Sequence, residues 1–312
     1  MAITVVGSVA LDSIASAEGS VEKEIGGSAI HFSNAASLCT KVYVIGVVGE
    51  DYPFERIEFL KRRGVDFSGL EIVPGGKTFF WKGRYEGNMG TAISEATELN
   101  VFQNFAPKLS GLARESGFLF LANIHPSLQL HIRRDIGSSA FAVLDSMNYW
   151  IDTIPEELYQ VIACVNAVIL NSDEILSLTG KKSLLSAARY LLTRGPDYVI
   201  IKKGEHGVLA VARDWVAALP AFALDRIVDP TGAGDSFAGA LVSYLDRASS
   251  FAPEAWKKAL AYATCVASFN VQGFSVSGIA SIGVRDVLKR FQEYCNMFEI
   301  QGGLDALSDA AG

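Results

Sequence analysis

The 312-residue chain is predicted to fold as an α/β protein with three layers, a mostly parallel central sheet and a small β-sheet lid. Two observations predict this fold class. Short apolar runs rich in β-branched residues alternate with amphipathic helical stretches, the pattern of a parallel sheet covered by helices on both faces. Two segments, about 13–25 and 75–95, interrupt the alternation with glycine, serine, threonine and charged residues. We therefore expect a single large domain, residues 1–312, with these two segments inserted in it.

Each predicted element follows from its local pattern, taken in chain order. Strands are expected at the short apolar runs, Ile3–Val6, Val42–Val47, Gly117–Ala122, Ala140–Leu144, Ala167–Leu170 and Tyr198–Lys202. Helices are expected at the amphipathic stretches, Ala29–Leu38, Pro53–Arg63, Leu184–Thr193 and Ala255–Phe269. The run Lys77–Tyr85 has aromatic β character, so the inserted segments are expected to pair as a lid that excludes water from a cleft. Surface hairpins without a gating role are the alternative, and residues 302–312 are expected to be a flexible tail.

Composition and charge disfavour several classes of function. The net charge is −7 and no long basic run occurs, which argues against a nucleic-acid partner. No apolar stretch approaches the length of a membrane span, so no membrane partner is expected. The first residues lack the features of a signal peptide, and the four cysteines lie far apart without a CxxC pair. Both observations predict a cytoplasmic protein with reduced thiols.

The most informative segment is Asp229–Gly239, which reads Asp-Pro-Thr-Gly-Ala-Gly-Asp-Ser-Phe-Ala-Gly. Gly232 and Gly234 permit a tight turn, and an apolar helix-compatible run follows at once. Such a turn gathers backbone N–H groups at a helix N-terminus, where an anion is stabilised. A carboxylate at Asp235 is electrostatically unfavourable beside an anion, so we interpret it as a group that abstracts a proton. A helix N-cap is the alternative role for Asp235.

Four motifs together resemble the ribokinase-like, or PfkB, family of carbohydrate and nucleoside kinases. The segment Asp229–Asp235 resembles the second signature of that family, and Gly26–Gly27 followed by a helix resembles the first. Asn171–Glu174 (Asn-Ser-Asp-Glu) matches its Asn-x-x-Glu element, and Lys203–Gly207 is similar to its Gly-x-x-Gly nucleotide loop. The four motifs occur in family order and span nearly the whole chain. The resemblance implies a ribokinase-like (Rossmann-like) fold and phosphoryl transfer from ATP to an alcohol.

The same resemblance implies which residues contact the nucleotide. Asp235 is the expected base, and charge on the transferred phosphoryl group is expected to be met by the backbone N–H groups of Gly232, Ala233 and Gly234. Mg²⁺ is expected to bind through water to Asn171 and Glu174 at the carboxyl edge of the sheet. An Asn turn and a first-turn helix Glu are the alternative. The residues expected around ATP are Asn171, Glu174, Lys202, Gly204, Gly207, Thr231, Asn270 and Gly273.

Two further expectations concern cations near the nucleotide. Lys202 and Lys203 alternate along a strand, so only one can face the site, and the resemblance places Lys202 beside a phosphate. A solvated strand-end lysine is the alternative. In this family a monovalent cation is often held between the loop at 229 and a later loop. Asp229 matches the first part whereas 270–278 matches only loosely, so a K⁺ requirement stays open.

The acceptor is expected beside the end of the first strand. Asp12 follows that strand, where a carboxylate can accept hydrogen bonds from two sugar hydroxyls, and a turn-forming Asp is the alternative. His31 stands where many sugar kinases of the family carry Asn, which weakens the case for ordinary ribose. The polar and aromatic run from Asp145 to Ile151 suits a binding wall. The expected substrate-binding residues are Ser8, Asp12, Gly26, Gly27, Ser28, His31 and Asn123.

The predicted function is an ATP- and Mg²⁺-dependent kinase that phosphorylates a hydroxyl of a sugar or sugar derivative. A nucleoside kinase is the alternative, and a non-catalytic sugar- or nucleotide-binding regulator is a third hypothesis. Exposed strand edges in a lid sheet invite pairing, so a homodimer through the lid is expected. Five aromatic residues suit stacking on a purine or an apolar sugar face, or else core packing: Phe32, Phe79, Trp81, Tyr85 and Phe102.

Overall fold

The computed structural model describes residues 2–298 except 88, 91 and 110, so the predicted tail 302–312 lies outside the described residues. The strands are β1 Ala2–Val6, β2 Ala10–Ser16, β3 Gly19–Gly26, β4 Lys41–Gly49, β5 Val65–Val73, β6 Phe79–Tyr85, β7 Ala92–Glu98, β8 Phe118–Leu121, β9 Phe141–Asp145, β10 Ala167–Asn171, β11 Tyr198–Lys202, β12 Val208–Ala212 and β13 Val216–Leu219. The helices are α1 Ser28–Ala36, α2 Glu58–Arg62, α3 Gly111–Arg114, α4 Pro126–Ile136, α5 Asn148–Thr153, α6 Pro155–Ile162, α7 Ser172–Thr179, α8 Leu184–Leu192, α9 Ala233–Ala248, α10 Pro253–Asn270, α11 Ser277–Ala280 and α12 Val284–Met297.

Most strands form one large sheet, in the order β13-β12-β11-β10-β9-β8-β1-β4-β5. From β5 to β11 the neighbouring strands are parallel, whereas β12 and β13 are antiparallel at one edge. Two apolar cores lie on opposite faces of this sheet. One core includes Phe32 of α1 and Leu241 of α9, and the other includes Ile132 of α4 and Leu158 of α6. The predicted three-layer fold is confirmed, and all six predicted strands belong to this sheet.

A second, four-stranded sheet has the order β3-β2-β6-β7. β2 pairs with β3 in antiparallel and with β6 in parallel orientation, so Asp12 of β2 lies between Glu24 and Trp81. Its strands come from the two segments that interrupt the alternating pattern. The prediction that these segments pair outside the main sheet is therefore confirmed.

Polar residues meet at the carboxyl edge of the main sheet. Parallel pairing places Asn171 opposite Lys202, and Ile169 opposite Asp145. The ends of β9, β10 and β11 therefore bring residues that are distant in sequence to one place, the edge at which α/β folds bind ligands. Within the described part of the chain, every helix is too short or too polar to cross a lipid bilayer.

Candidate active site

The turn before α9 is built from backbone groups that remain open. Gly232 adopts φ 71° immediately before the helix, and no side chain caps the helix start. The N–H of Ala233 donates to the carbonyl oxygen of Pro230 at 3.1 Å. Among the described residues, no acceptor takes the N–H of Gly232 or Gly234. The N–H groups of Gly232 and Gly234 are thus free to bind an anion, whereas the N–H of Ala233 is used within the turn.

Buried polar side chains form hydrogen bonds with the backbone of this turn. Asp229 is fully buried, and its two carboxylate oxygens accept the N–H groups of Thr231 at 2.8 Å and Ser275 at 2.9 Å. The amide of Asn270, 1% exposed, donates to the Thr231 carbonyl at 2.8 Å and accepts from the Ser236 hydroxyl at 2.9 Å. Asn270 therefore lies beneath the turn instead of forming an open nucleotide wall, because both ends of its amide bond protein groups.

Asp229 joins the two loops between which the family resemblance allows a monovalent cation. Its hydrogen bonds reach Thr231 in one loop and Ser275 in the other, and both carboxylate oxygens are occupied by N–H donors. Gly273 lies in the second loop, where a Cβ atom would come within 2.6 Å of the Ser277 hydroxyl oxygen. Tight packing thus accounts for Gly273, Asp229 links the two loops, and a monovalent cation at Asp229 stays a prediction.

His31 lies against the turn. Its side chain is 1% exposed, and neither ring nitrogen has a hydrogen-bond partner among the described residues. A Cβ atom on Gly232 would lie 2.2 Å from the imidazole Cγ, so the ring packs directly on the glycine backbone. Burial lowers the pKa of His31 to about 4, against a weaker opposing effect of Asn270, so the ring is neutral at pH 7. His31 therefore packs against the turn, and its role as a substrate ligand stays a prediction.

A lysine and three carboxylates surround the start of α9. The ammonium of Lys202 forms an ion pair with Asp145 at 3.0 Å. Burial lowers the pKa of Lys202, but Asp145, Glu174 and Asp235 outweigh it and raise the pKa overall. Burial, with repulsion from Asp145 and Glu174, raises the pKa of Asp235 well above its ordinary value, although Lys202 opposes this shift. Lys202, the lysine that the family resemblance placed beside a phosphate, therefore lies near the start of α9.

The Asn-x-x-Glu element forms a reciprocal cap on α7. The Glu174 N–H donates to Asn171 Oδ1 at 2.9 Å, and the Asn171 N–H donates to Glu174 Oε2 at 2.7 Å. These hydrogen bonds match the structural alternative of an Asn turn with a first-turn Glu. Burial raises the pKa of Glu174, a shift opposed chiefly by Lys202. The described residues contain no cluster of three or more Asp, Glu, His or Cys able to hold a metal directly, and the water-mediated Mg²⁺ site at these two residues stays a prediction.

The glycines of the predicted nucleotide loop have different surroundings. Gly204 is exposed with φ 55°, and a Cβ there would meet nothing within 4 Å. Gly207 has φ 84°, and a Cβ would lie 2.1 Å from the Leu219 carbonyl oxygen. Close packing against the end of β13 therefore explains Gly207, whereas Gly204 leaves open space beside β11.

The acceptor side is built around the Asp12 carboxylate. A Cβ on Gly26 would lie 1.9 Å from Asp12 Oδ2, so the carboxylate occupies the space that glycine leaves. Burial raises the pKa of Asp12 to about 7; a hydrogen bond from the Gly27 N–H opposes the shift, and the charges of Asp229 and Asp235 add to it. The expected acceptor ligand and the expected base therefore interact electrostatically.

The other expected acceptor residues hold the junction between β1 and α1. The hydroxyls of Ser8 and Ser28 are 3.1 Å apart, and each also accepts the other's backbone N–H. Gly27 has φ 89°, and a Cβ would lie 2.5 Å from the Ser8 carbonyl oxygen. Ser8, Gly27 and Ser28 therefore fix the local backbone, and both serine side chains are buried.

Asn123 belongs to an aromatic wall after β8 and β9. Its amide accepts from Trp150 Nε1 at 3.0 Å and donates to the Met147 sulfur at 3.0 Å. His125 and Tyr149 both pack edge-on against Trp150. Tyr149 is 57% exposed and Met147 39% exposed, so part of the wall is open to a ligand.

The lid touches the turn, a contact that sequence analysis did not predict. The Tyr85 hydroxyl of β6 lies 3.0 Å from the Thr231 hydroxyl. The Ser16 hydroxyl of β2 donates to the Val228 carbonyl at 2.8 Å. Thr231, expected beside the nucleotide, therefore links the lid to the turn that precedes Asp235.

The Tyr85–Thr231 contact yields a prediction for lid closure. In Tyr85→Phe, one neutral hydrogen bond between lid and turn is lost, which is worth about 1 kcal/mol. We expect kcat/KM for the acceptor to fall about three- to tenfold, as steady-state kinetics would show. Tyr43→Phe is the matched control because Tyr43 lies in β4 of the main sheet, outside both the lid and the turn. An unchanged kcat/KM in Tyr85→Phe would show that this contact between lid and turn does not support turnover of the acceptor.

Comparison with known proteins identifies the family. The model of the pfkB family of carbohydrate kinases matches residues 2–281. The chain belongs to this family. It is 28% identical to the cytidine kinase of Thermococcus kodakarensis over 251 residues, which is 78% of this chain and 88% of that protein. It is 31% identical to the deoxyribokinase of Salmonella typhimurium over 274 residues, which is 85% of each chain.

The fold of this PfkB protein is that of a solved family member. The nucleoside kinase of Methanocaldococcus jannaschii, an archaeal member of the ribokinase family, superposes with a TM-score of 0.76 at 19% identity. The match covers 94% of this chain and 98% of that one. The resemblance predicted from the four motifs is thus confirmed, and the protein is a kinase of the PfkB family.

Proposed function

We propose that this PfkB protein transfers the γ-phosphoryl group of ATP to a hydroxyl of a sugar or sugar derivative. One observation carries the proposal. Asp235 lies in the first turn of α9, where the N–H groups of Gly232 and Gly234 are open, and its charge interacts with those of Lys202 and Asp12. A helix cap alone needs neither a buried lysine nor a second buried carboxylate beside it.

In the proposed reaction, each of these groups has a separate role. The acceptor oxygen bonds to the γ-phosphorus while the bond from that phosphorus to the β,γ-bridging oxygen breaks, and ADP leaves with the electron pair. The hydroxyl proton passes to the Asp235 carboxylate. The N–H groups of Gly232 and Gly234 and the Lys202 ammonium stabilise charge on the phosphoryl oxygens. Asp12 orients the acceptor by accepting its hydroxyl hydrogens.

The chain also fits a bound Mg²⁺ ion. Glu174 is a buried carboxylate with one oxygen committed to the cap, and it lies near Lys202 at the nucleotide side of the site. Asn171 and Glu174 would hold the ion through water. Mg²⁺, when bound, neutralises charge on the phosphates.

A nucleoside acceptor is the second candidate, favoured by the aromatic wall. The exposed ring of Tyr149 and the exposed Met147 flank Trp150 at the carboxyl edge, and a planar base stacks well on such side chains. The similarity to a cytidine kinase supports the same candidate.

A homodimer through the lid also stays a prediction, supported by the exposed Ile93 and Leu99 on or beside β7.

The test is a panel of acceptors with ATP and Mg²⁺. Ribose, deoxyribose, fructose, cytidine, adenosine and inosine would be compared by coupled detection of ADP, with mass spectrometry of the phosphorylated product. Transfer to free sugars supports the first candidate, and transfer to nucleosides alone selects the second. Binding of these ligands without any transfer would leave the protein as a non-catalytic regulator.

A further inference from the structure

We propose that Asp145 is a positioning residue that holds the Lys202 ammonium against the turn at Gly234, where Lys202 meets the charge of the transferred phosphoryl group. The inference rests on the proposed kinase function and adds a residue to it. Asp145 acts through Lys202 and does not itself contact the substrate.

The sheet brings the two side chains together. Asp145 is the last residue of β9 and Lys202 the last residue of β11, with β10 between these strands. Lys202 Nζ lies 3.0 Å from Asp145 Oδ2, and the two side chains are 19% and 6% exposed. An ion pair this buried is screened little by water, so its geometry is strongly held.

Asp145 is fixed independently of the lysine. Its Oδ1 accepts the Ser146 N–H at 2.9 Å. Its carbonyl oxygen accepts from Gln129 Nε2 at 3.0 Å, and the same amide group reaches the Ala122 carbonyl at 2.9 Å. Lys202, in contrast, has a four-carbon stem with many rotamers, and Asp145 is its only hydrogen-bond partner among the described side chains. The carboxylate therefore sets the position of the ammonium, and not the reverse.

The ammonium lies on the turn itself. A Cβ on Gly234 would come within 2.9 Å of Lys202 Nζ, so glycine leaves the space that the ammonium occupies. A full positive charge thus adds to the open N–H groups of Gly232 and Gly234. Asp145, Glu174 and Asp235 together keep this buried lysine protonated.

Chemical rescue separates this role from a structural one. Lys202→Ala is expected to lower kcat about 10²-fold, and added ethylammonium or propylammonium should restore at least tenfold of that loss by occupying the space beside Asp145. In Lys202→Ala/Asp145→Asn the same amines should restore nothing. Asp145→Asn alone should lower kcat about tenfold or more through misplacement of the ammonium, and the double variant should be no slower than Lys202→Ala.

The controls make failure of the inference distinct from failure of the proposed function. Lys257→Met changes an exposed lysine of α10, which makes no side-chain ion pair among the described residues, and should retain kcat within about threefold. Absence of transfer by the wild-type protein would overturn the proposed function. With an active wild type, normal kcat in Asp145→Asn, or equal amine rescue with and without Asp145, would overturn the inference. Calorimetric affinity for a non-hydrolysable ATP analogue gives an acceptor-independent check, since both Lys202→Ala and Asp145→Asn should weaken it, and unchanged affinity in Asp145→Asn would count against the proposal.

Discussion

Asp235→Asn is expected to lower kcat by about 10³-fold while nucleotide affinity persists. The amide keeps the shape of the side chain but cannot accept the hydroxyl proton. Asp235 is a partly buried carboxylate whose pKa is raised by burial and by its neighbours Asp145 and Glu174. Replacing such a carboxylate with a neutral amide does not weaken the fold, so the thermal midpoint should be equal to or above that of the wild type. Single-turnover kinetics and calorimetric binding of an ATP analogue would measure the two effects separately.

The pH dependence of kcat in the wild type gives an independent test of Asp235 as the base. The base must be ionised to accept a proton, so kcat falls as the pH drops through the raised pKa of Asp235. The acidic limb of kcat should therefore lie well above 3.8, the ordinary value for Asp. A kcat that stays flat down to pH 5, or an Asp235→Asn variant within tenfold of the wild type, would exclude Asp235 as the base.

The fold and the centre of the site could be predicted from the sequence because both depend on local pattern. Apolar runs separated by helical stretches defined β1, β4, β8, β9, β10 and β11, and a Gly-x-Gly-Asp turn before a helix defined the place of Asp235. The strands that the pattern did not predict lie at the two edges of the main sheet. β5 is interrupted by polar residues at positions 66, 68 and 71, and β12 and β13 are short antiparallel additions after the loop at Gly204.

The side-chain partners of the site could not be predicted in the same way. Lys202 and Asp145 are 57 positions apart, and Tyr85 and Thr231 are 146 apart, so each contact exists only once the whole fold has formed. Burial likewise decides the role of Asn270 and His31. Both were expected at the edge of the cleft, but they are the polar groups that pack beneath and against the turn. A polar side chain in a loop-like segment gives no local sign of which side of a turn it will occupy.

Asp12→Asn is expected to weaken acceptor binding and, at the same time, to stabilise the protein at alkaline pH. Charge-assisted hydrogen bonds to the acceptor hydroxyls become neutral ones, a loss of about 1.5–3 kcal/mol that corresponds to about a 10- to 100-fold rise in KM for the acceptor. kcat should change less than KM, because Asp12 orients the acceptor and does not take its proton. Steady-state kinetics with saturating ATP would measure both constants.

The stability effect follows from the raised pKa of Asp12. Burial raises this pKa to about 7, above the ordinary 3.8, so the folded state binds the proton more tightly than the unfolded chain does. The ionised carboxylate then costs stability that is absent below about pH 4 and grows as the pH rises to about 7. Asn carries no such charge, so the variant should melt about 2–5 °C above the wild type at pH 8 and nearly with it at pH 4. A melting-point gain that is the same at both pH values would show that the carboxylate is not destabilised by burial, and a loss at pH 8 would show that its charge holds the fold together. The expected result is a gain at pH 8 together with weakened acceptor binding. It would show that the charge of Asp12 serves acceptor binding and destabilises the fold.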